Sequence, residues 1–218
     1  MAGQITTLQR QKRNSERVSV YLDGVYAFAL PALEAVKLRR EQYLSDQEIE
    51  ALKTLDLRAK AYEQAVRFLA VRPRSVWEVR QKLERYRSRQ KESLAAAHID
   101  WVTDKLMEQG YLNDEEFARF WVEQRNQFKP LAPRALRFEL QRKGIAERTI
   151  ESVLDGAVDA QAAALQAARS QARRWRTMDA ETFQKKMAAF LQRRGFSWAV
   201  VWDVLEQSWQ EMLDEKAD

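Results

Sequence analysis

The 218-residue chain contains no cysteine, and that absence removes disulfides, thiolate nucleophiles and cysteine metal sites together. It fits a reducing compartment. Histidine is reduced to one residue, His98, with no Ser, Cys or carboxylate constellation bracketing it, so it reads as a helix cap or surface residue rather than a general base. The six glycines are scattered, and none forms a phosphate-cradling loop. Asp114, Glu115 and Glu116 cluster where a helix should begin. A cap at Asn113 or Asp114 and the positive end of the helix dipole account for them without catalysis. No apolar run approaches the roughly 20 residues of a spanning helix, and the first thirty residues lack the apolar core of a signal peptide. The expectation is a non-enzymatic, soluble, cytoplasmic protein with no metal, no cofactor and no membrane contact.

What is present is apolar enough to fold, at 45% of residues, and leans basic. Thirty-seven Lys and Arg stand against thirty-two Asp and Glu, with a pI near 9.4. That excess suits a polyanionic partner such as nucleic acid, or simply a well-solvated helical protein, and only the distribution of charge can separate the two.

The N-terminus has its own texture. Arg17 to Leu22 and Val25 to Leu30 alternate around Asp23-Gly24, a hairpin signal. Ile5 to Gln9 supplies a third strand, and Leu33 to Leu55 reads as helix, with Ser45 and Glu48 as a capping box. Residues 1–57 are therefore expected to form a small β-containing module.

From residue 58 the chain reads as all α, and a pattern returns: Leu140-Gln-Arg-Lys-Gly-Ile145 followed by Ile150 and Leu154, then Leu191-Gln-Arg-Arg-Gly-Phe196 followed by Val201 and Leu205. Each copy is a helix–turn–helix corner with its turn at Gly144 or Gly195. Alignment on the i, i+4 pairs Val79/Leu83, Leu136/Leu140 and Met187/Leu191, and on Val102/Leu106, Ile150/Leu154 and Val201/Leu205, yields three units of three helices at about 58–110, 111–156 and 157–210. First helices are expected at Ala61 to Leu69, Asp114 to Gln124 and Asp159 to Trp175. The fold class is thus mainly α: three tandem three-helix repeats stacked as an elongated curved rod behind the N-terminal module. Unit one carries an insertion from Tyr86 to about Ala97 that either extends its helix or projects as a loop, and residues 211–218 read as a solvated acidic tail.

Basic residues gather on or beside the second helices. One group is Arg72, Arg74, Arg80, Lys82, Arg85, Arg87, Arg89 and Lys91; another is Arg134, Arg137, Arg142 and Lys143; a third is Arg173, Arg174, Arg176, Lys185, Lys186, Arg193 and Arg194. Repetition would space them along the rod as a ridge for a phosphate backbone or a filament. The plainer account is helix C-terminal charge, which covers Arg85, Lys143 and Arg194 at up to ~1 kcal/mol each. The seven tryptophans are expected mostly in cores, with Phe117/Trp121 and Trp198/Trp202 spaced for helix packing. An exposed few would suit base stacking or a protein hot spot.

The segment Gly110-Tyr-Leu-Asn-Asp-Glu-Glu-Phe-Ala-Arg-Phe-Trp-Val-Glu-Gln-Arg125, followed by Pro133-Arg134 and Glu139-Leu-Gln-Arg-Lys-Gly-Ile145, resembles the bacterial RecX family. Arg72-Pro-Arg-Ser75 with Glu78-Val-Arg-Gln-Lys-Leu83 is similar to that family's first repeat, and the Val20 to Phe28 hairpin to an extension found in some members. The likeness spans residues 4–156, and in the third unit Leu191 to Phe196 matches. The resemblance implies a monomeric modulator, usually an inhibitor, of the RecA recombinase. Its partners would be RecA, the RecA filament, and single-stranded and double-stranded DNA, and it would act in the regulation of DNA repair and recombination. The basic residues Arg72, Arg74, Arg80, Lys82, Arg85, Arg87, Arg89, Arg134, Arg137, Arg142, Lys143, Arg193 and Arg194 are the candidates to face such a filament. The rival class is a helix-turn-helix regulator of duplex DNA, which needs one specialised reading helix. Here the helices after the corners begin with Ala146-Glu-Arg and Ser197-Trp-Ala, and neither stands out as a reader.

Overall fold

The computed structural model describes residues 2–86, 94–156 and 158–217. The chain divides into two compact units, residues 1–72 with 79–111 and residues 73–78 with 112–218.

In the first unit, β1 (Gly3–Gln11), β2 (Asn14–Leu22) and β3 (Val25–Pro31) form an antiparallel meander. Asp23 and Gly24 both take positive φ, +48° and +83°, so that Leu22 pairs with Val25. Two left-handed residues twist a tight turn in the same sense as its strands, which is why Asp-Gly marks a hairpin. One face of the sheet buries Ile5, Val20, Leu22, Phe28 and Leu30 against Ala35, Leu44 and Ile49.

The stretch expected as one helix from Leu33 to Leu55 is instead three elements. Helix α1 covers only Ala32–Ala35, and β4 (Tyr43–Leu44) pairs with Gly3 and Gln4 at the edge of the sheet. Helix α2 (Asp46–Leu69) starts at the Ser45–Glu48 capping box. Pairing with β1 and burial of Leu44 outweigh helical propensity across residues 36–44. Helix α2 then continues unbroken through residues 57 and 58 and supplies the helix expected at Ala61 to Leu69. Its 24 residues span about 36 Å. Near its middle the buried Asp56 carboxylate accepts from Arg17 and pairs with Lys60. Helices α3 (Val76–Glu84) and α4 (Ala96–Glu108) follow, and Val79, Leu83, Val102 and Leu106 are fully buried. Within the insertion, residues 87–93 lie outside the described residues.

The second unit contains α5 (Asp114–Phe128), α6 (Pro133–Arg142), α7 (Glu147–Leu154), α8 (Ala160–Trp175), α9 (Ala180–Arg193) and α10 (Trp198–Ala217). Side-chain caps from Asn113, Asp159 and Asp179 open α5, α8 and α9. The first trio buries Phe117, Val122, Leu136, Leu140, Ile145, Ile150 and Val153. The second buries Phe183, Met187, Leu191, Phe196, Val201 and Val204 against an alanine face of α8, Ala164, Ala168 and Ala172, with Ala132 from the preceding trio in the same cluster. Small residues there let α8 lie close to its neighbours. The acidic end is not a detached tail: α10 runs to Ala217, Met212 is buried, and Glu211 accepts from Arg169 at 2.8 and 2.6 Å.

Candidate nucleic-acid interface

Both corners close in the same way. Gly144 and Gly195 take φ of +77° and +87° and donate to the carbonyls of Gln141 and Gln192. The N–H groups of Ile145 and Phe196 reach back to Leu140 and Leu191 at 3.2 and 3.3 Å. This paired bonding satisfies helix-end carbonyls and needs a left-handed residue, which glycine adopts without a Cβ penalty.

Each corner then docks on the start of an earlier second helix. Ser75 Oγ donates to the Lys143 carbonyl at 2.7 Å, and Lys143 Nζ donates to Glu78 Oε1 at 2.6 Å. Ser75 and Glu78 form a capping box at the start of α3, and Gly144 lies against Trp77. At the second corner the Ala132 N–H donates to the Arg194 carbonyl at 3.1 Å, Arg194 Nη1 donates to the Pro130 carbonyl at 2.8 Å, and Gly195 lies against Ala135. Asp114 takes part as well, accepting from the Val76 N–H at 2.9 Å. Asn113 caps the α5 start, and Asp114, besides adding charge there, caps α3. Burial holds its carboxyl above the ordinary value, opposed by that N–H.

The expected basic ridge is thereby split. Lys143 is consumed in the first joint and also lies 4.7 Å from the Trp121 ring. Arg194 is consumed in the second, stacks 4.4 Å from the Phe190 ring, and burial lowers its pKa. Arg80 bonds Asp100 and Thr103, and Arg72 and Arg74 are half-buried and engaged within the protein. Lys82 lies over Phe68, and Arg85 reaches Gln81. Arg87, Arg89 and Lys91 fall outside the described residues. Arg137 pairs with Glu147 and Glu151.

Seven arginines of the second unit are exposed without an ion pair: Arg134, Arg142, Arg148, Arg173, Arg174, Arg176 and Arg193. Arg142 lies 5.8 Å over the Phe138 ring. Arg134 and Arg148 share one groove between α6 and α7, lined also by Pro133, Arg137, Glu151, Ser152, Leu154 and Asp155. Arg148 lies outside the basic clusters seen along the sequence. Its spacing to Glu151, Ser152 and Asp155, three, four and seven residues on, places it on one helix face with these other lining residues.

His98 sits half-buried in the first turn of α4, where Nδ1 accepts from Arg58 at 3.3 Å, and burial and that cation lower its pKa. The tryptophans depart from the expectation of core packing: Trp77, Trp101, Trp198 and Trp202 are exposed, and the other three are half-buried. Among the described residues no group of His and acidic side chains could hold a metal, and no helix is long and apolar enough to cross a membrane.

Comparison with known proteins places these features in one family. Models of the RecX N-terminal domain and of its first, second and third three-helix domains match residues 3–39, 61–87, 113–154 and 158–205. The regulatory protein RecX of Bacillus pumilus (strain SAFR-032) is 30% identical over 98% of this chain and 81% of its own length. That of Bacillus velezensis (strain DSM 23117 / BGSC 10A6 / LMG 26770 / FZB42) is 32% identical over 97% and 80%. A crystal structure of a regulatory protein RecX superposes with a TM-score of 0.69 at 25% identity, covering 94% of this chain and 99% of that one.

Proposed function

Because the chain belongs to the RecX family of regulatory proteins, we propose that it binds RecA and the RecA–single-stranded DNA filament in the cytoplasm and depresses strand exchange, ATP hydrolysis and coprotease action. It would act by occupancy, with no reaction of its own. The observation that carries this reading is the α6–α7 groove, where Arg134 and Arg148 are exposed and free of ion pairs within a helical repeat of this family. Two unpaired guanidiniums in a groove suit a phosphate backbone by charge and by fork geometry. Arg142 and Arg193 add charge on the same compact unit, so several weak contacts can act together.

The corners themselves count against a duplex-reading helix-turn-helix. Their turns are occupied by earlier helices, and α7 opens on Glu147, which is tied to Arg137. The test is RecA ATP hydrolysis on single-stranded DNA with this protein at substoichiometric ratios. The rate should fall, and R134E/R148E should restore it while the circular dichroism stays that of the wild type. Affinity of the wild type for the filament should drop with salt, and the double variant should flatten the log–log slope by about one to two units. An unchanged hydrolysis rate overturns the reading. Equal binding to RecA-free duplex at the same salt would point to the duplex regulator instead.

A further inference from the structure

A second surface of the same compact unit has the opposite chemistry. Trp198 and Trp202, one turn apart on α10, stack with centroids 5.7 Å apart and planes at 25°, yet are 52% and 62% exposed. They wall a groove floored by Ala188, Ala189 and Leu205. The facing side of α9 is too small at these positions to cover two indoles. Glu206, one turn beyond Trp202, and Asp203 are exposed and make no ion pair, while Lys185 in the groove is neutralised by Glu181.

Two other indoles, those of Trp101 and Trp121, are covered by the chain's own cations. Arg58 lies 5.4 Å from the Trp101 ring. Arg125 lies 4.6 Å from Trp121 and donates to Glu139, which also accepts from the Trp121 Nε1–H. Indole face, guanidinium and carboxylate together make a complete site, in which the ring quadrupole and the acid both favour the cation. The Trp198–Trp202 pair has the indoles, and an exposed carboxylate without an ion pair one turn on at Glu206, but no cation over its rings.

We propose that this groove docks a cationic amphipathic segment of a protein partner, an arginine lying over the stacked indoles and against Glu206 while an apolar side chain enters between α9 and α10. Nucleic acid is disfavoured here because the groove lining offers no unpaired cation to a phosphate, and Glu206, exposed and without an ion pair one turn beyond Trp202, adds negative charge beside it.

Fluorescein-labelled helical peptides of twelve residues, identical except for arginine or glutamate on the polar face, and fluorescein-labelled (dT)12 are titrated by anisotropy against the full chain. The arginine peptide should bind saturably and about tenfold or more tighter than the glutamate peptide. W198A/W202A should remove most of that advantage, and E206K should lower it by about tenfold with both indoles intact. The (dT)12 affinity should be the same in all three proteins. Equal binding of the two peptides, or an arginine-peptide affinity that W198A/W202A leaves unchanged, overturns the proposal. A loss of (dT)12 binding in W198A/W202A also overturns it and makes the pair a base-stacking face.

Discussion

The two corners share a sequence pattern and a turn geometry, yet they are held by different forces. At Lys143–Gly144 the joint is electrostatic and aromatic: Lys143 meets Glu78, its carbonyl accepts from Ser75, and Gly144 abuts Trp77. At Arg194–Gly195 the joint rests on neutral carbonyl acceptors and methyl groups: the Ala132 N–H donates to the Arg194 carbonyl, the Arg194 guanidinium donates to the Pro130 carbonyl, and Gly195 faces Ala135. A repeat therefore conserves the shape of a corner while leaving the chemistry of its contact to whatever the earlier helix presents.

The largest test of that difference is at the glycines. A Cβ at Gly144 would lie 2.4 Å from the Trp77 Cβ, an atom anchored to the α3 backbone, in addition to the strain of a left-handed alanine. G144A should cost about 3–4 kcal/mol. At Gly195 the Cβ would meet the Ala135 Cβ at 3.0 Å, which a shift of a few tenths of an ångström relieves, so G195A should cost about 1–2 kcal/mol. Urea denaturation of the two variants checks the order, and equal losses would mean that backbone conformation governs both corners.

The next test removes the cations. K143M leaves the Glu78 carboxylate, whose side chain is 10% exposed, without its ammonium, and should cost about 1–3 kcal/mol. R194M gives up a bond to a neutral carbonyl and should cost about 1 kcal/mol. K143M/E78Q should recover part of the first loss, because a largely buried carboxylate no longer carries charge. No recovery would show that the lysine stem over Trp121, rather than the ion pair, holds the joint.

The smallest effect concerns pH. Burial raises the Asp114 carboxyl above its unfolded value, so the folded state binds this proton more tightly. Its contribution to folding is therefore full at acid pH and declines as pH rises through the raised value. Asparagine keeps an acceptor for the Val76 N–H and cannot ionise. D114N should gain on the wild type from acid to neutral pH by less than about 1 kcal/mol. Denaturation midpoints across that range check the sign; an opposite slope would mean that the α3 dipole stabilises the carboxylate more than burial opposes it.

Local signals in the chain were legible because they act over a few residues. Asp23-Gly24 forecasts its turn, Ser45 with Glu48 its cap, and Leu140 to Ile145 its helix end, and each is realised. Helical patterning failed at residues 36–44 because strand β4 forms against β1, some 40 residues earlier in the chain, at a cost no local window contains. The i, i+4 spacing of Trp198 and Trp202 was sound as geometry but silent on burial, since alanines on α9 leave that face uncovered. Charge clustering along the chain mixes cations that are paired in the fold with cations that are not, and it gives no sign of Arg148, whose groove partners lie on another helix as well as its own.

By itself the sequence determined the N-terminal meander, the recurring three-helix pattern and the family, since turn residues, caps and apolar periodicity are short-range physics. Only the tertiary structure decided which basic residues are available. Lys143 finds Glu78 65 positions away, and Arg194 finds the Pro130 carbonyl 64 positions away. A charged side chain is claimed by whatever folding brings within reach of it, and that separation is set by packing rather than by the pattern in which the charge is written.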